Sequence, residues 1–339
     1  MSPRAKDSGK RLAGPALFLL GFLLAPSLPP RAASVPLEPE PQAASGASRQ
    51  DVRINLGAVK GSFSFIVYGD MRFTNPKDTW NTDPARRVAL VRRIAHEHPN
   101  LLLLTGDLVL RGERFSDWEV FDQETQPWRD AGIPVFPTLG NHDLDGSVEL
   151  ALQNYFRRFP ALNGWRWYSL RYGNCYFLMV DSDSDTGPES PQRRWMASEL
   201  DHLPAGTDYV FVVTHHPSYT QSTHENGAGH APRSSEQRLG MFLEERQKTL
   251  AAQIFELSGH VHNYERYEKG GVMYIVTAGG GAVPYAVNRG PNDSYRLAGP
   301  TYHFCRFTIN PHRLKFEMIK MVGKDRGAKW EVKDGFEMQ

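Results

Sequence analysis

The sequence predicts an α/β fold in which buried strands alternate with amphipathic helices. Short apolar runs such as residues 62–68 and 101–105 are typical of strands that are covered on both faces. Helical patterns separate these runs along the chain, as they do in βαβ units. In addition, a polar motif directly follows each of five predicted strands. Functional groups of α/β sheets gather at the carboxyl ends of strands, so these motifs mark the edge where we expect a site.

The composition is that of an ordinary globular protein. The chain has 339 residues, of which 40% are hydrophobic and 23% are charged, so it is long enough to bury a sizeable core. Its formal net charge is +1, and the body of the chain has no long basic run. Nothing in this balance indicates binding to nucleic acid or to an anionic membrane. The sequence does not fix an oligomeric state.

The N-terminus carries a predicted targeting segment. A basic start precedes an apolar run at residues 12–24, which is short for a membrane span, and small residues follow at 32–34. We predict a signal peptide at residues 1–33, with an uncleaved anchor as the alternative. Residues 34–52 are rich in Pro, Ala, Ser and Glu and are predicted to form a disordered spacer. Residues 53–339 are predicted to form one secreted or periplasmic domain without a membrane span.

The first part of this domain shows clear local signals. Asp83 followed by Pro84 is a favourable helix start, because Asp caps the first amides and Pro fits the first helical position. His96 and His98 end that helix two residues apart, and we expect them to be solvated. Gly140 is expected to allow a sharp turn after a strand. The predicted elements are a strand at 62–68, a helix after residue 83, a strand at 101–105, a helical stretch at 114–131 and a strand at 133–136.

The later part alternates in the same way. Two strands joined by a Gly-Asn pair predict an antiparallel hairpin, and the acidic residues 181–187 are predicted to form a plain turn, since they fit a calcium loop poorly. Residues 218–233, rich in Gly, Ser and His, are predicted to be a loop near the site. The predicted elements are helices at 148–156, 191–203 and 235–253, strands at 167–171, 175–180, 209–214, 254–257 and 272–277, and a final hairpin at 303–309 and 314–321.

Cys175 and Cys305 are the only cysteines. Both fall in apolar runs, and two interpretations stay open: a disulfide formed in an oxidising compartment, or two buried free thiols. Neither cysteine has the spacing of a metal-binding pair.

The motifs after the strands predict a metal centre. They deliver oxygen and nitrogen donors without sulfur, which suits Zn, Mn or Fe. Six such donors are too many for one tetrahedral ion but enough for two ions that share a carboxylate. Two ions ~3.5–4 Å apart are a recurring device for displacement at phosphorus. The candidate ligands are Asp70, Asp107, Asn141, His215, His260 and His262.

These motifs also resemble those of a known family. GD at 69–70, GD at 106–107, GNHD at 140–143, THHP at 214–217 and GHVH at 259–262 are similar, in order, to the five blocks of the calcineurin-like metallophosphoesterases. The segments GHVHNYER, YSLRYGNCYFLMVD and QRRW are most similar to the purple acid phosphatase branch. The resemblance covers roughly residues 62–321. It implies a four-layer αββα sandwich of two facing mixed sheets flanked by helices.

The resemblance further implies roles for individual residues. Asp107 would bridge two ions, and a metal-bound hydroxide would attack phosphorus. The other ligands would be Asn141, His215 and His260 for one ion, and Asp70 and His262 for the second.

Around these ligands, the resemblance implies catalytic and substrate-binding residues. His142 would protonate the leaving-group oxygen or stabilise charge on it, and Asp143 would orient His142. His216 is a candidate for substrate binding.

Two positions depart from the family pattern. Arg72 stands where the family commonly has a histidine ligand, and Leu110 stands where the purple acid phosphatases supply a tyrosine. A guanidinium cannot ligate a metal. Arg72 is therefore predicted either to grip a phosphate oxygen or to form a structural ion pair with a carboxylate.

The sequence thus predicts an exported metal-dependent phosphoesterase that hydrolyses small-molecule phosphate monoesters or diesters with two Fe, Mn or Zn ions. One alternative is a non-catalytic or single-metal binding protein on the same fold. Another is a metal-dependent hydrolase of a non-phosphate ester.

Overall fold

The computed structural model describes residues 52–339, apart from residues 58, 60, 222, 225–229, 312 and 324–326 and the side chains of Thr223 and His224. The predicted signal peptide and nearly all of the predicted spacer lie outside the described residues. Within the described part of the chain, no helix is both long enough and apolar enough to cross a membrane.

The elements follow the predicted alternation of strands and helices. The strands are β1 (Arg53–Asn55), β2 (Phe63–Tyr68), β3 (Leu101–Leu104), β4 (Val135–Pro137), β5 (Tyr168–Tyr172), β6 (Cys175–Met179), β7 (Tyr209–Val213), β8 (Thr223–His224), β9 (Gln253–Ser258), β10 (Tyr264–Lys269), β11 (Val272–Thr277), β12 (Val287–Asn288), β13 (His303–Asn310), β14 (Arg313–Val322) and β15 (Lys329–Met338). The helices are α1 (Pro84–Glu97), α2 (Phe115–Glu124), α3 (Gln126–Asp130), α4 (Val148–Arg158), α5 (Pro191–Asp201) and α6 (Ser234–Gln247), and short 3-10 helices lie at His142–Leu144 and Pro160–Leu162.

Two mixed sheets form the body of the protein. One has seven strands in the order β1-β5-β6-β7-β9-β11-β10, and the other has six in the order β15-β14-β13-β2-β3-β4. In the first, β6, β7, β9 and β11 are parallel neighbours. In the second, β2, β3 and β4 are parallel, and the hairpin of β13 and β14 joins them in antiparallel fashion. Strands β8 and β12 form a separate small pair.

Aromatic side chains fill the interface between the two sheets. Phe211 of β7 stacks on Phe177 and Phe255 of its own sheet, with ring centroids 5.1 and 4.9 Å away. It also meets Phe65 and Phe307 of the other sheet edge-on, at 4.9 and 5.2 Å. Edge-to-face and offset contacts of this kind add to the free energy of burial. This cluster holds the sheets face to face.

Helices cover the outer faces of both sheets. Leu90, Val91 and Ile94 of α1 belong to the same buried cluster as the six-stranded sheet. On the other side, Met196 of α5 and Leu243 of α6 pack in a second cluster with the outward-facing residues of β6, β7 and β9. The order of layers is helix, sheet, sheet, helix, which confirms the predicted four-layer α/β architecture.

Local signals explain several element boundaries. The Asp83 side chain accepts the Arg86 amide at the start of α1, as predicted. His96 and His98 at its end are exposed. By contrast, α6 ends at Gln247 rather than at residue 253. The Gln247 side chain turns onto the following segment, where its oxygen accepts the Ile254 amide at 2.6 Å.

Five strands were not predicted: the short pair of β8 and β12, and the three strands β1, β10 and β15 of the two large sheets. β1 is short, and β10 and β15 carry many charged residues with one face exposed. All three lie at sheet edges, where a strand buries too little apolar surface to show a strong pattern. Cys175 and Cys305 are buried free thiols, which is the second of the two interpretations left open.

Replacing Phe211 by Ala should lower the free energy of unfolding by about 3–5 kcal/mol, because the change leaves a cavity between the sheets. Urea unfolding followed by circular dichroism measures this. Trp80→Ala is the control, since Trp80 is 88% exposed and its loss should cost less than about 0.5 kcal/mol. Similar losses for both variants would contradict the assigned role of the aromatic cluster.

The buried Glu256 of β9 predicts a pH dependence of stability. Its carboxyl accepts the Ser218 amide at 2.7 Å, and burial raises its pKa from 4.5 to about 7. Between these values the folded protein binds more protons than the unfolded chain, so the free energy of unfolding falls as the pH rises from about 5 to 7. The contribution lost is on the order of 3 kcal/mol.

Glu256→Gln should remove this contribution and flatten the profile. Urea unfolding of wild type and variant at pH 5 and pH 8 tests it. Glu268→Gln, at an exposed position of β10, should retain the wild-type profile. An unchanged profile in Glu256→Gln would show that this carboxyl is not the group that titrates.

Candidate metal centre

Strand ends of both sheets meet at one place and carry the predicted ligands. From the six-stranded sheet come the residues after β2, β3 and β4, and from the seven-stranded sheet come the residues after β7 and β9. In chain order these residues are Asp70, Asp107, Asn141, His215, His260 and His262. The structure therefore brings together all six candidate ligands.

Glycines allow this close approach. A Cβ atom at Gly140 would lie 2.4 Å from Asp107 Oδ1, and one at Gly259 would lie 2.5 Å from Asp70 Oδ2. Real Cβ atoms do not come so close to their neighbours, so only glycine fits at these positions. The φ angle of Gly140 is not in the left-handed range. Gly140 is needed for close approach rather than for the sharp turn expected from the sequence.

Three of the candidate ligands have a left-handed backbone. The φ angles are 59° for Asp70, 51° for Asp107 and 69° for His260. Each such residue costs roughly 1–3 kcal/mol and persists only where the surroundings fix it. In each case the preceding glycine lies at the end of a central strand. The fold thus stores local strain at the point where its polar groups converge.

The ring of His215 is oriented for metal binding. Its Nδ1 lies 2.8 Å from the Thr105 carbonyl, which can only accept, so Nδ1 carries the proton. The lone pair on Nε2 then faces Asn141 Oδ1 at 3.1 Å and Asp107 Oδ1 at 3.3 Å. No hydrogen atom lies between the ring nitrogen and either oxygen, so each of the three atoms presents a lone pair. Three such atoms can together bind a cation.

His262 shows the same pattern, and His260 adds another buried ring nitrogen. His262 Nδ1 donates to the Val283 carbonyl at 3.0 Å, which leaves the Nε2 lone pair 3.5 Å from Asp70 Oδ1. Within the described residues, neither His262 Nε2 nor His260 Nδ1 has a hydrogen-bond partner, although both atoms are buried. Such orphaned nitrogens beside carboxylates fit metal ligation.

Two overlapping groups of donors have ligand atoms within 4.8 Å of one another. They are His215, His216 and His260, and Asp70, Asp107 and His215. These two groups of the described residues share His215, and their donors fit the binding of metal ions. His216, predicted to bind substrate, lies within the donor cluster itself.

Burial controls protonation at the site. It lowers the pKa of His215 and of His262, so both rings are neutral near pH 7. Burial also raises the pKa of Asp70, and the adjacent Asp107 raises it further. For Asp107, burial raises the pKa, but the neighbouring His215 and Arg72 outweigh burial and hold the pKa below the usual range. Arg72 carries a permanent positive charge next to this carboxylate.

Arg72 forms an ion pair with the central carboxylate. Its Nε and Nη2 donate to Asp107 Oδ2 at 3.1 and 3.0 Å. The ion pair is the second of the two roles left open for this residue. A grip on phosphate by Arg72 stays a prediction.

His142 is held by the main chain and not by Asp143. Its Nδ1 donates to the Leu110 carbonyl at 2.7 Å. The Asp143 carboxylate is buried and accepts the amides of Leu108, Val109 and Gly140 at 2.9, 3.1 and 2.9 Å. The Asp143 carboxylate therefore contacts these amides rather than the His142 ring, and its role in orienting His142 stays a prediction. Asp143 fixes the backbone around the site. Leu110 stands where the purple acid phosphatases supply a tyrosine side chain, and it contributes its backbone carbonyl to His142.

Sequence reasoning missed several residues around the ligands. His230 Nδ1 lies 3.1 Å from His260 Nε2, and the Tyr285 ring stacks on His230 and on His262, with centroids 5.5 and 4.6 Å away. Ser182 Oγ contacts His216 Nδ1 at 2.8 Å. The His-rich loop gave a signal for His230, but nothing in the sequence singled out Tyr285 or Ser182.

A cavity of about 290 Å³ opens beside the ligands. Asn141, His216 and His260 form its inner wall, and Asp183 and Arg233 add charges of both signs. Arg233 pairs with Glu236 and donates to the Ser182 carbonyl at 3.0 Å. The cavity is large enough for a phosphate group with a small substituent.

Comparison with known proteins gives the same answer as the motifs. A family model described as calcineurin-like phosphoesterase matches residues 63–264. The chain is 24% identical over 240 residues to a phosphoenolpyruvate phosphatase of Allium cepa, covering 64% of this chain and 45% of that protein. It is 26% identical over 172 residues to the Fe(3+)-Zn(2+) purple acid phosphatase 12 of Arabidopsis thaliana, covering 46% and 33%. The chain spans less than half the length of these curated relatives.

Solved structures share the fold. A purple acid phosphatase of yellow lupin (Lupinus luteus) superposes with a TM-score of 0.62 at 17% identity, covering 81% of this chain and 53% of that chain. The structure of PhoD superposes with a TM-score of 0.60 at 13% identity, covering 84% and 70%. Together with the family model, which matches more than half of the sequence, these comparisons confirm the resemblance: the chain belongs to the calcineurin-like phosphoesterase family.

Proposed function

We propose that this protein is an exported metal-dependent phosphoesterase that hydrolyses phosphate monoesters or diesters of small molecules. The observation that supports this most is the convergence at His215, where the lone pair of Nε2 faces two oxygen acceptors, Asn141 Oδ1 at 3.1 Å and Asp107 Oδ1 at 3.3 Å. Export is inferred only from the pattern of residues 1–33.

The donor chemistry suggests which residues would hold the ions. Imidazole nitrogens with carboxylate and amide oxygens suit Zn, Mn or Fe. One ion would be held by Asn141, His215 and His260, and a second by Asp70 and His262, with Asp107 between them. His216 is placed to serve either as a further ligand or as a contact to substrate, since it lies both in the donor cluster and in the cavity wall.

Bound metal ions would supply hydroxide near neutral pH and neutralise charge on the phosphoryl oxygens. The other tasks fall to the chain. His142 Nδ1 is committed to the Leu110 carbonyl, so Nε2 is the atom that would hold or donate a proton at the leaving-group oxygen. Asp143 keeps the segments of Leu108 and Gly140 in place. The cavity beside Asn141 would hold the substituent of the phosphate.

A second candidate is a non-catalytic or single-metal binding protein on this fold. The contact between Arg72 and Asp107 favours it, because it places a fixed cation where a second ion is expected. A hydrolase of a non-phosphate ester is the third possibility. A panel of phosphomonoesters, phosphodiesters and carboxylic esters, assayed together with metal content, separates the three.

Removal of metal should abolish hydrolysis and lower the melting temperature. Ions that bind only the folded state stabilise it by RT ln(1 + [L]/Kd), about 4 kcal/mol at a thousandfold excess over Kd. Chelator-treated protein should regain both activity and melting temperature with Zn, Mn or Fe, and Mg should restore them poorly because imidazole suits it less. Full activity in protein shown by elemental analysis to be metal-free would refute the proposal.

His142→Ala should slow esters with poor leaving groups more than those with good ones. General acid catalysis is typically worth about 10²–10⁴-fold, so hydrolysis of an alkyl phosphate should fall by about that factor and that of 4-nitrophenyl phosphate by much less. Steady-state kinetics on both substrates measures the difference. His96→Ala, at the exposed end of α1, is the matched control. Equal slowing of both substrates would count against an acid role.

A further inference from the structure

Arg72 is built into the metal centre. Its guanidinium directs Nε and Nη2 at one oxygen of Asp107, at 3.1 and 3.0 Å, and its side chain is only 15% exposed. The residues that line the cavity beside Asn141 do not include Arg72. The guanidinium therefore serves the carboxylate rather than that cavity.

The backbone of Arg72 is fixed on both sides. Its amide donates to the Asp107 carbonyl at 2.9 Å, and its own carbonyl accepts Arg87 Nη1 at 3.3 Å. Arg87 is fully buried and is held by Glu124 through two contacts of 2.8 Å. Hydrogen bonds to Asp107 and Arg87 thus fix the backbone position of Arg72.

The two carboxylate oxygens of Asp107 have different partners. Oδ1 accepts the His142 amide at 2.9 Å and faces His215 Nε2 at 3.3 Å. Oδ2 is occupied by Arg72. An ion beside Asp70 and His262 would thus share Asp107 with a guanidinium, and it would lack the ligand that a histidine at position 72 would give.

We propose that Arg72 makes the metal centre unequal: the side of Asn141, His215 and His260 binds one ion tightly, and the side of Asp70 and His262 binds a second ion weakly, in competition with the guanidinium. This rests on the proposed function only in taking these donors as a metal site. An arginine beside an aspartate shifts the proton equilibrium of that carboxyl by about 1–3 pKa units. A cation already paired with Asp107 should oppose a second cation there to a similar extent, so we expect Arg72 to weaken binding of the second ion by at least about tenfold.

Titration of the chelator-treated full chain with Zn²⁺ in a calorimeter tests this. Wild type should bind one ion tightly, and a second at least about tenfold more weakly or not measurably. Arg72→Gln, which removes the charge, should raise the affinity for the second ion by about tenfold or more and leave the affinity for the first ion unchanged. Arg72→His, which also adds a ligand, should bind two ions tightly.

Two controls separate charge from disruption. Arg72→Lys keeps the positive charge, so its affinities for the first and the second ion should differ as they do in wild type. Arg72→Gln/His262→Ala should lose the second ion again, because the orphaned Nε2 of His262 is removed. Circular dichroism checks that each variant folds, and Arg72→His carries the test if Arg72→Gln does not fold.

Three results would overturn the inference. Two ions of equal affinity in wild type would do so, and so would an unchanged number and affinity of ions in both Arg72→Gln and Arg72→His. In either case, hydrolysis of a phosphoester by the loaded wild type would show that the proposed function stands. Absence of any bound ion in wild type and variants alike would overturn both proposals.

Discussion

The carboxylate of Asp107 is fully buried, and the surrounding structure serves to compensate its charge. An uncompensated buried anion is so costly that it would take up a proton instead. Here one oxygen receives a backbone amide and the other a guanidinium, and the imidazole of His215 approaches from the opposite sheet. The contact between the two sheets, the glycines that permit it and the left-handed residues beside them all meet at this one group.

The central strands and helices could be predicted from the sequence because the residues that form them give clear local patterns. Strands such as β3 and β7 are continuous apolar runs, and the start of α1 is encoded by Asp83 and Pro84. The edge strands β10 and β15 were not, since their charged residues give no clear period and their pairing depends on partners elsewhere in the chain. The end of α6 was missed for a similar reason: the side chain of Gln247 bonds across a turn that no propensity reveals.

The site, like the fold, has features that could be predicted from the sequence and features that could not. The convergence of the candidate ligands could be predicted, because each follows a recognisable strand within a few residues. Their supports could not, because the groups that orient His215, His262 and His142 are backbone carbonyls, which every residue possesses. The contact of Arg72 with Asp107 was one of two alternatives at the sequence level. Recognising the ion pair required knowing that the backbone amide of Arg72 donates to the carbonyl of the same residue whose carboxylate its side chain contacts.

The use of carbonyls to orient the three histidines has an evolutionary consequence. A substitution at Thr105, Leu110 or Val283 changes a side chain but leaves the carbonyl oxygen where the fold places it. The tautomer of each ring is therefore insulated from most mutations at its supporting position. We expect a centre built in this way to keep the orientation of its imidazole rings while the side chains around it change.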